Sequence, residues 1–285
     1  MAEPKAGKKG SQTKVDLASI AGLLVGVGGI VGGMLLEKGE LHDLYQVSAG
    51  IIVLGGTIGA VLLTSPMAAL GRAVKHLGLV FFDKANSASN TIEEIIEYAT
   101  QARKQGIVSL EQQVNTVQDP FLRKALNLAV DGIEMSQIRS IMELDLNLLE
   151  QDGEAEAKVY EAAGGYAPTL GIIGAVIGLI HVMKDLADIE AVGHGIAAAF
   201  VATIYGLVCA NLCFLPASAK LRSRLQDSVR IRELMLEGVL SIVEGLNPKL
   251  IRTKLDAYLQ QQAASAKKPA AARGKAAGQP VSAEG

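Results

Sequence analysis

The 285-residue sequence has no tryptophan, and aromatic residues of every kind make up only 4% of it. So few stacking rings argue against a nucleic-acid surface. The four histidines, His42, His76, His181 and His194, share no metal-ligand spacing, and no Ser-His-Asp or His-Glu-x-x-His pattern occurs. Neither an enzyme, a metal site nor a cofactor is expected. The two cysteines, Cys209 and Cys213, lie four apart in an apolar stretch, where thiols filling helix grooves are expected rather than a disulfide. The most informative absence is charge. Asp, Glu, Lys, Arg and His are missing from about Leu17 to Leu36 and from Leu44 to Thr64. A third stretch, Tyr166 to Met183, holds only His181, and a fourth, Ile196 to Ala217, holds none. An apolar helix of about 20 residues spans the hydrocarbon core of a bilayer. The sequence therefore reads as an all-α, four-span membrane protein. Met1 to Lys14 is a short polar leader, and the apolar run after it is too long for a signal-peptide core.

What charge there is falls in an ordered pattern. Lys5, Lys8, Lys9 and Lys14 precede the first span, Arg72, Lys75 and Lys84 follow the second, and Lys220, Arg222, Arg224, Arg230 and Arg232 follow the fourth. The other two connections carry one lysine each, Lys38 and Lys184, among several carboxylates. Basic flanks stay inside during insertion, so both termini and the long middle segment are expected in the cytoplasm. The segment 66–165 has nine basic and fifteen acidic residues, whereas 218–285 has twelve basic and six acidic. The tail is thus basic enough to rest on anionic lipid or an acidic partner.

Six regions follow: a cytoplasmic leader 1–16, a spanning hairpin 17–64, a helical cytoplasmic insertion 65–165, a second hairpin 166–217, an amphipathic helix 218–262 and a disordered basic tail 263–285. Within the insertion, Asn90 with Glu93 reads as a capping box for a helix ending at Gly106, and Ser109 with Gln112 as a second. Asp119-Pro120 reads as cap and first helical residue of another. The apolar spacing from Leu122 to Leu149 predicts long amphipathic helices leading to the third span. No stretch reads as a strand.

The run Gly26 to Gly33 fails as a dinucleotide fingerprint, because Val31 stands where the third glycine belongs. Gly22/Gly26, Gly28/Gly32 and Gly29/Gly33 instead read as small-xxx-small pairs that let helices approach closely in lipid. In the third span Pro168, Gly171, Ala175 and Gly178 share one small-residue face, and in the fourth Ala199, Thr203, Gly206 and Ala210 do the same. The two stripes can pack on each other, or they can leave room for a helix from another chain. No span holds a carboxylate, so a titrating group for ion passage would have to come from a partner.

The segments Gly165-Tyr166-Ala167-Pro168-Thr169-Leu170-Gly171-Ile172-Ile173-Gly174 and Ala199-Phe200-Val201-Ala202-Thr203-Ile204-Tyr205-Gly206 resemble the MotA/PomA flagellar stator subunits. These belong to the wider MotA/TolQ/ExbB ion-channel superfamily. The resemblance covers Leu17 to about Tyr258, and the second N-terminal span favours the stator over the TolQ/ExbB branch. It implies several copies around a MotB-like single-span partner that supplies the ion-binding aspartate. It further implies that Thr203 lines the ion path, that Ala175 favours protons over sodium, and that Pro168 and Pro216 transmit a protonation change. Arg103 and Glu111, in Arg103-Lys104-Gln105-Gly106-Ile107-Val108-Ser109-Leu110-Glu111, match the charged residues that meet the rotor protein FliG. From the residues alone, each proline reads rather as marking a helix end, and Glu111 can serve a helix dipole. An energiser of the ExbB/TolQ kind and a non-conducting scaffold are the alternatives.

Overall fold

The computed structural model describes residues 13–80, 82–84, 88–184 and 186–267. It divides into two compact units, one made of 1–85 and 148–227, the other of 86–147 and 228–285. Four helices, Leu17–Leu36, Val47–Thr64, Met135–Lys184 and Ile189–Val243, are long and apolar enough to cross a membrane.

In the first unit, α1 (Leu17–Leu36) starts at Asp16, whose carboxylate accepts hydrogen bonds from the Ala18 and Ser19 amides at 3.1 and 3.3 Å. These satisfy amides that a helix start otherwise leaves orphaned. None of its residues is buried. The second span runs from α2 (Val47–Gly50) through a π turn, Ile51–Gly55, into α3 (Gly56–Thr64). The short α4 (Met67–His76) follows. The backbone then forms a ribbon that the sequence reading did not anticipate. β1 (Thr13–Val15) pairs antiparallel with β2 (Phe82–Lys84), Thr13 opposite Lys84 and Val15 opposite Phe82. Three-residue strands are too short to show a period, and their partners lie about 70 positions apart.

Helix α8 (Met135–Lys184) contains the third span, and α9 (Ile189–Val208) the fourth. A second π turn, Cys209–Phe214, joins α9 to α10 (Leu215–Val243). The two spans meet backbone to backbone. A methyl on Gly206 would lie 2.6 Å from the Ala167 carbonyl oxygen and 3.2 Å from the Cα of Pro168. One on Gly171 would lie 2.9 Å from the Ala202 carbonyl oxygen, and one on Gly178 would lie 3.1 Å from the Ala199 amide nitrogen. Lipid offers no hydrophobic gain for joining two helices, so close van der Waals contact over small residues must supply the attraction. The two stripes therefore pack on each other. The glycines of α1 behave differently: Gly26 faces Leu212, but an added methyl at Gly22, Gly28, Gly29, Gly32 or Gly33 would meet nothing within 4 Å. The expected small-xxx-small packing within the chain holds for Gly26 alone.

Ion pairs fasten the polar part of this unit. Arg72 reaches Asp152 at 2.9 Å and Glu156 at 3.2 Å, while His76 Nδ1 lies 2.6 Å from Glu156. Tyr160 donates to the Ala73 carbonyl. Arg222 binds Glu154 and Glu161 at 3.2 and 2.5 Å, and Asp16 is held by Lys220 and by Arg224.

The second unit packs α5 (Ala88–Gln105), the short α6 (Glu111–Val114), α7 (Pro120–Val130), the start of α8, the end of α10, and α11 (Pro248–Lys267). Ile95, Leu110, Leu122, Leu126, Ile138, Met142, Leu234, Ile251 and Leu255 form its fully buried core. Asp119 caps α7 as expected, accepting from the Phe121 and Leu122 amides with Pro120 in the first turn. The two capping boxes differ from expectation. α5 begins at Ala88, which puts Asn90 inside the helix, and Glu93 instead makes a two-pronged pair with Arg252 at 2.6 Å per contact. Ser109 does not cap either; its hydroxyl donates to the Gly106 carbonyl within a 3₁₀ turn, Ile107–Leu110.

Region boundaries also shift. Residues 65–85 and 148–165 cluster with the spans, and the segment after Asp227 clusters with 86–147. The amphipathic helix anticipated over 218–262 is two helices, because Gly245 (φ 76) ends α10. α11 continues to Lys267, past the expected end of order at 263, and the rest of the tail lies outside the described residues. So does most of the 1–16 leader.

Gly206→Ala should destabilise the detergent-solubilised protein by about 1–3 kcal/mol through overpacking. Gly28→Ala, with open space around it, should be neutral or stabilising by up to about 1 kcal/mol through helix propensity. Thermal unfolding of the two variants side by side checks the difference.

Candidate functional site

Pro168 lies in the interior of α8, not at a helix end. Proline deprives the carbonyl four residues back of its donor and crowds it. That residue is Gly164, followed by Gly165, so the crowded carbonyl and its next neighbour carry no side chains. Pro168 sits against α9 at Gly206, and Thr203 lies on the same contact, its Cα 3.3 Å from the position of a methyl on Gly171. The Thr203 hydroxyl donates to the Ala199 carbonyl of its own helix at 3.3 Å, which leaves its oxygen able to accept. Ala175 is half-buried on α8, one turn beyond Gly171. The structure therefore brings Pro168 and Thr203 to one seam.

Pro216 is the second residue of α10, immediately after the π turn Cys209–Phe214. A π turn inserts one residue and resets the hydrogen-bond register, which is how a continuing helix accommodates a proline. Pro216 is exposed and borders an apolar groove of about 730 Å³ walled by Leu23, Val80, Tyr160, Leu212 and Phe214. Near that groove the Asp16 carboxyl is lowered to about 2. The Lys220 hydrogen bond is the main cause, opposed by partial burial and reinforced by the Ser19 amide and the Arg224 charge.

Arg103 is exposed in the last turn of α5, and Glu111 is exposed as the first residue of α6. Among the described residues neither forms an ion pair. Gly106 (φ 83) turns the chain between them, and Gln101 donates to the Ser109 carbonyl at 3.0 Å to fix that turn. Two uncommitted charges of opposite sign thus flank one rigid corner. Elsewhere in the same unit Glu237 is pushed up by burial. Hydrogen bonds from Lys254 and Arg139 outweigh that, and the group ends below its ordinary value.

Sequence reasoning missed two sets of residues. Tyr205 was read only as part of a motif, yet its hydroxyl donates to the Leu44 carbonyl at 2.5 Å and accepts from the Gln46 amide. It ties the fourth span to the entry of the second. The Glu156 cluster was also missed, although its signal was present: Arg72 and His76 are four apart on one helix, as are Asp152 and Glu156 on another. Two such i, i+4 pairs of complementary hydrogen-bonding groups match face to face.

Four long apolar helices in two hairpins, with a close seam between the third and fourth, define a multi-pass helical membrane protein. Residues 113–234 match the MotA/TolQ/ExbB proton channel family and residues 20–106 match the motility protein A N-terminal family. Motility protein A of Bacillus subtilis is 37% identical over 249 residues, covering 86% of this chain and 91% of that protein. Two solved structures superpose on it, each covering 85% of this chain and 95% of its own. One, described as the structure of C. jejuni MotAB, has a TM-score of 0.82 at 31% identity. The other, the flagellar MotAB stator complex from Bacillus subtilis, has a TM-score of 0.79 at 35% identity. The chain belongs to the MotA/TolQ/ExbB proton channel family, in its motility protein A branch, and is a multi-pass inner-membrane protein.

Because the folded-state pKa of Asp16 is depressed, its contribution is complete above the unfolded value near 3.8 and fades only as pH falls toward about 2. Asp16→Asn should therefore lower the melting temperature by the same amount at pH 6 and pH 8. A loss confined to one of those pH values would contradict the assignment.

Proposed function

We propose that this chain is the stator subunit of a flagellar motor and that, with a MotB-like single-span partner, it forms a path for protons whose passage drives the rotor. The supporting observation is the seam itself: four spans without a single carboxylate, two of them fused over glycine, with Thr203 at the join. Such a protein can guide an ion but has no acidic group in its spans with which to bind one, so the titrating aspartate comes from the partner. Several copies would surround the partner's helices; the two similar solved structures are described as MotAB and as a MotAB stator complex, which supports a partner of that kind. Both termini and the insertion face the cytoplasm, in keeping with the basic flanks.

Passage of one charge through 100 mV releases about 2.3 kcal/mol. Each protonation of the partner's carboxylate removes a charge beside α8 and α9 and changes which packing is favoured. Pro168 and Pro216, where the helices are least constrained by backbone hydrogen bonds, are the places that yield. Ala175 leaves the path lined by a methyl, which favours protons over sodium. The second unit carries the movement to the rotor protein FliG through Arg103 and Glu111, whose charges are not consumed internally. Anionic lipid would meet the basic residues at the membrane border. The reading assigns the protein no enzymatic reaction and no nucleic-acid partner.

Thr203→Val keeps the shape and removes the hydroxyl, so it should cut proton flux through the co-expressed complex at least about tenfold while insertion is unchanged. Unchanged flux would favour a non-conducting scaffold. Arg103→Glu or Glu111→Lys should abolish or strongly slow swimming with flux retained; normal swimming with both reversed would reject the rotor contact.

A further inference from the structure

Three helices of the second unit end at a glycine of positive φ, although at Gly106 (ψ 159) the chain leaves extended rather than folding back. Gly106 (φ 83) ends α5, Gly132 (φ 73) ends α7 and Gly245 (φ 76) ends α10. Each glycine is followed by a branched aliphatic residue: Ile107, Ile133 and Leu246. The Ile133 amide donates to the Leu128 carbonyl and the Leu246 amide to the Ser241 carbonyl, each at 3.1 Å. This closure folds the residue after the glycine back over the helix end and normally buries it there. Here all three aliphatic side chains are only half-buried, and all three line one cavity of about 290 Å³. Ala102 and Val243 complete its apolar wall, and Arg103 stands at its rim. A water molecule occupies about 30 Å³ of liquid, so the space corresponds to about ten waters and admits one bulky side chain that displaces several of them.

Three helix ends converge at the edge of the core to leave a half-open, mainly apolar hollow beside Arg103, a guanidinium that forms no ion pair among the described residues. We propose that the hollow is a socket for one bulky aliphatic or aromatic side chain of the segment that Arg103 contacts, carried about one helical turn from the carboxylate that pairs with Arg103. The inference rests on the rotor-contact reading of Arg103 and deepens it. Charge complementarity selects the occupant: Arg103 and Lys104, both exposed in the last turn of α5, call for an acidic segment, and the socket calls for that segment to be amphipathic. An apolar anchor buried next to a charge pair excludes water from it and holds register, which a surface ion pair alone does poorly.

The test fills the socket without touching the charge. Ala102→Phe in the full complex should slow swim-ring expansion about tenfold, as loss of an interface anchor does, with proton flux at the parent level. Normal swimming by Ala102→Phe, in a strain where Arg103→Glu impairs it, overturns the socket and leaves the charge contact standing. Normal swimming by Arg103→Glu removes the contact reading itself. A parallel fall in flux and swimming would also overturn the proposal, since the effect would then come from general damage rather than docking. Should Ala102→Phe fold poorly, Ala102→Cys in a Cys209→Ala/Cys213→Ala background can be filled after folding with a bulky, cell-permeant maleimide. Swimming that slows on labelling, beside an unaffected cysteine-free control, supports the socket; unchanged swimming at full labelling rejects it.

Discussion

The contact on which the rest of the fold depends is the approach of α8 and α9 at Gly171, Gly178 and Gly206, close enough that a single methyl would strike backbone atoms. In water such a join would be a minor part of a hydrophobic core. In lipid the surroundings are as apolar as the side chains, and only intimate contact distinguishes helix from solvent. Two of the residues singled out from the sequence are placed by that contact: Thr203 lies on it, and Pro168 abuts Gly206. A seam made of backbone has few side-chain rotamers to repack.

Charge plays a second organising part. The excess of acid in the middle of the sequence and of base near its end invites the expectation of an external partner. Inside the first unit, however, Arg222 meets Glu154 and Glu161, and Lys220 and Arg224 meet Asp16. Inside the second, Arg252 meets Glu93, while Arg139 and Lys254 share Glu237. Much of the asymmetry is thus consumed within the fold. The charges left over, Arg103 and Glu111 above all, stand out against that background.

The spans were legible because twenty uncharged residues leave few structural options, and Asp119-Pro120 was legible because cap and proline act locally. The failures concern partners that local sequence does not name. Glycine spacing along α1 matched that of a packing motif, yet only Gly26 has a neighbour close against it. Asn90 and Ser109 had the chemistry of caps, but a helix start is fixed by the backbone before it, and α5 had already begun at Ala88. The strand pairing of Thr13–Val15 with Phe82–Lys84 and the cluster around Glu156 join residues some 70 to 80 positions apart. Of the site, the identities of Thr203, Pro168 and Arg103 came from family resemblance. Their surroundings, such as the seam and the hollow beside Arg103, became visible only in three dimensions. The Gly-Ile and Gly-Leu steps at 106, 132 and 245 were in the sequence throughout, unremarked because each is ordinary alone.

The π turn at Cys209–Phe214 has a geometric corollary. One surplus residue in a helix with 3.6 residues per turn rotates everything beyond it by about 100°. A helical wheel drawn straight through 189–227 therefore assigns the wrong side to the residues after Phe214. Lys220 and Arg224, which meet Asp16, both lie beyond that offset. The wide turn works as a keyed coupling, letting the lipid-adapted face before it and the salt-bridged face of 215–227 after it each keep its own azimuth.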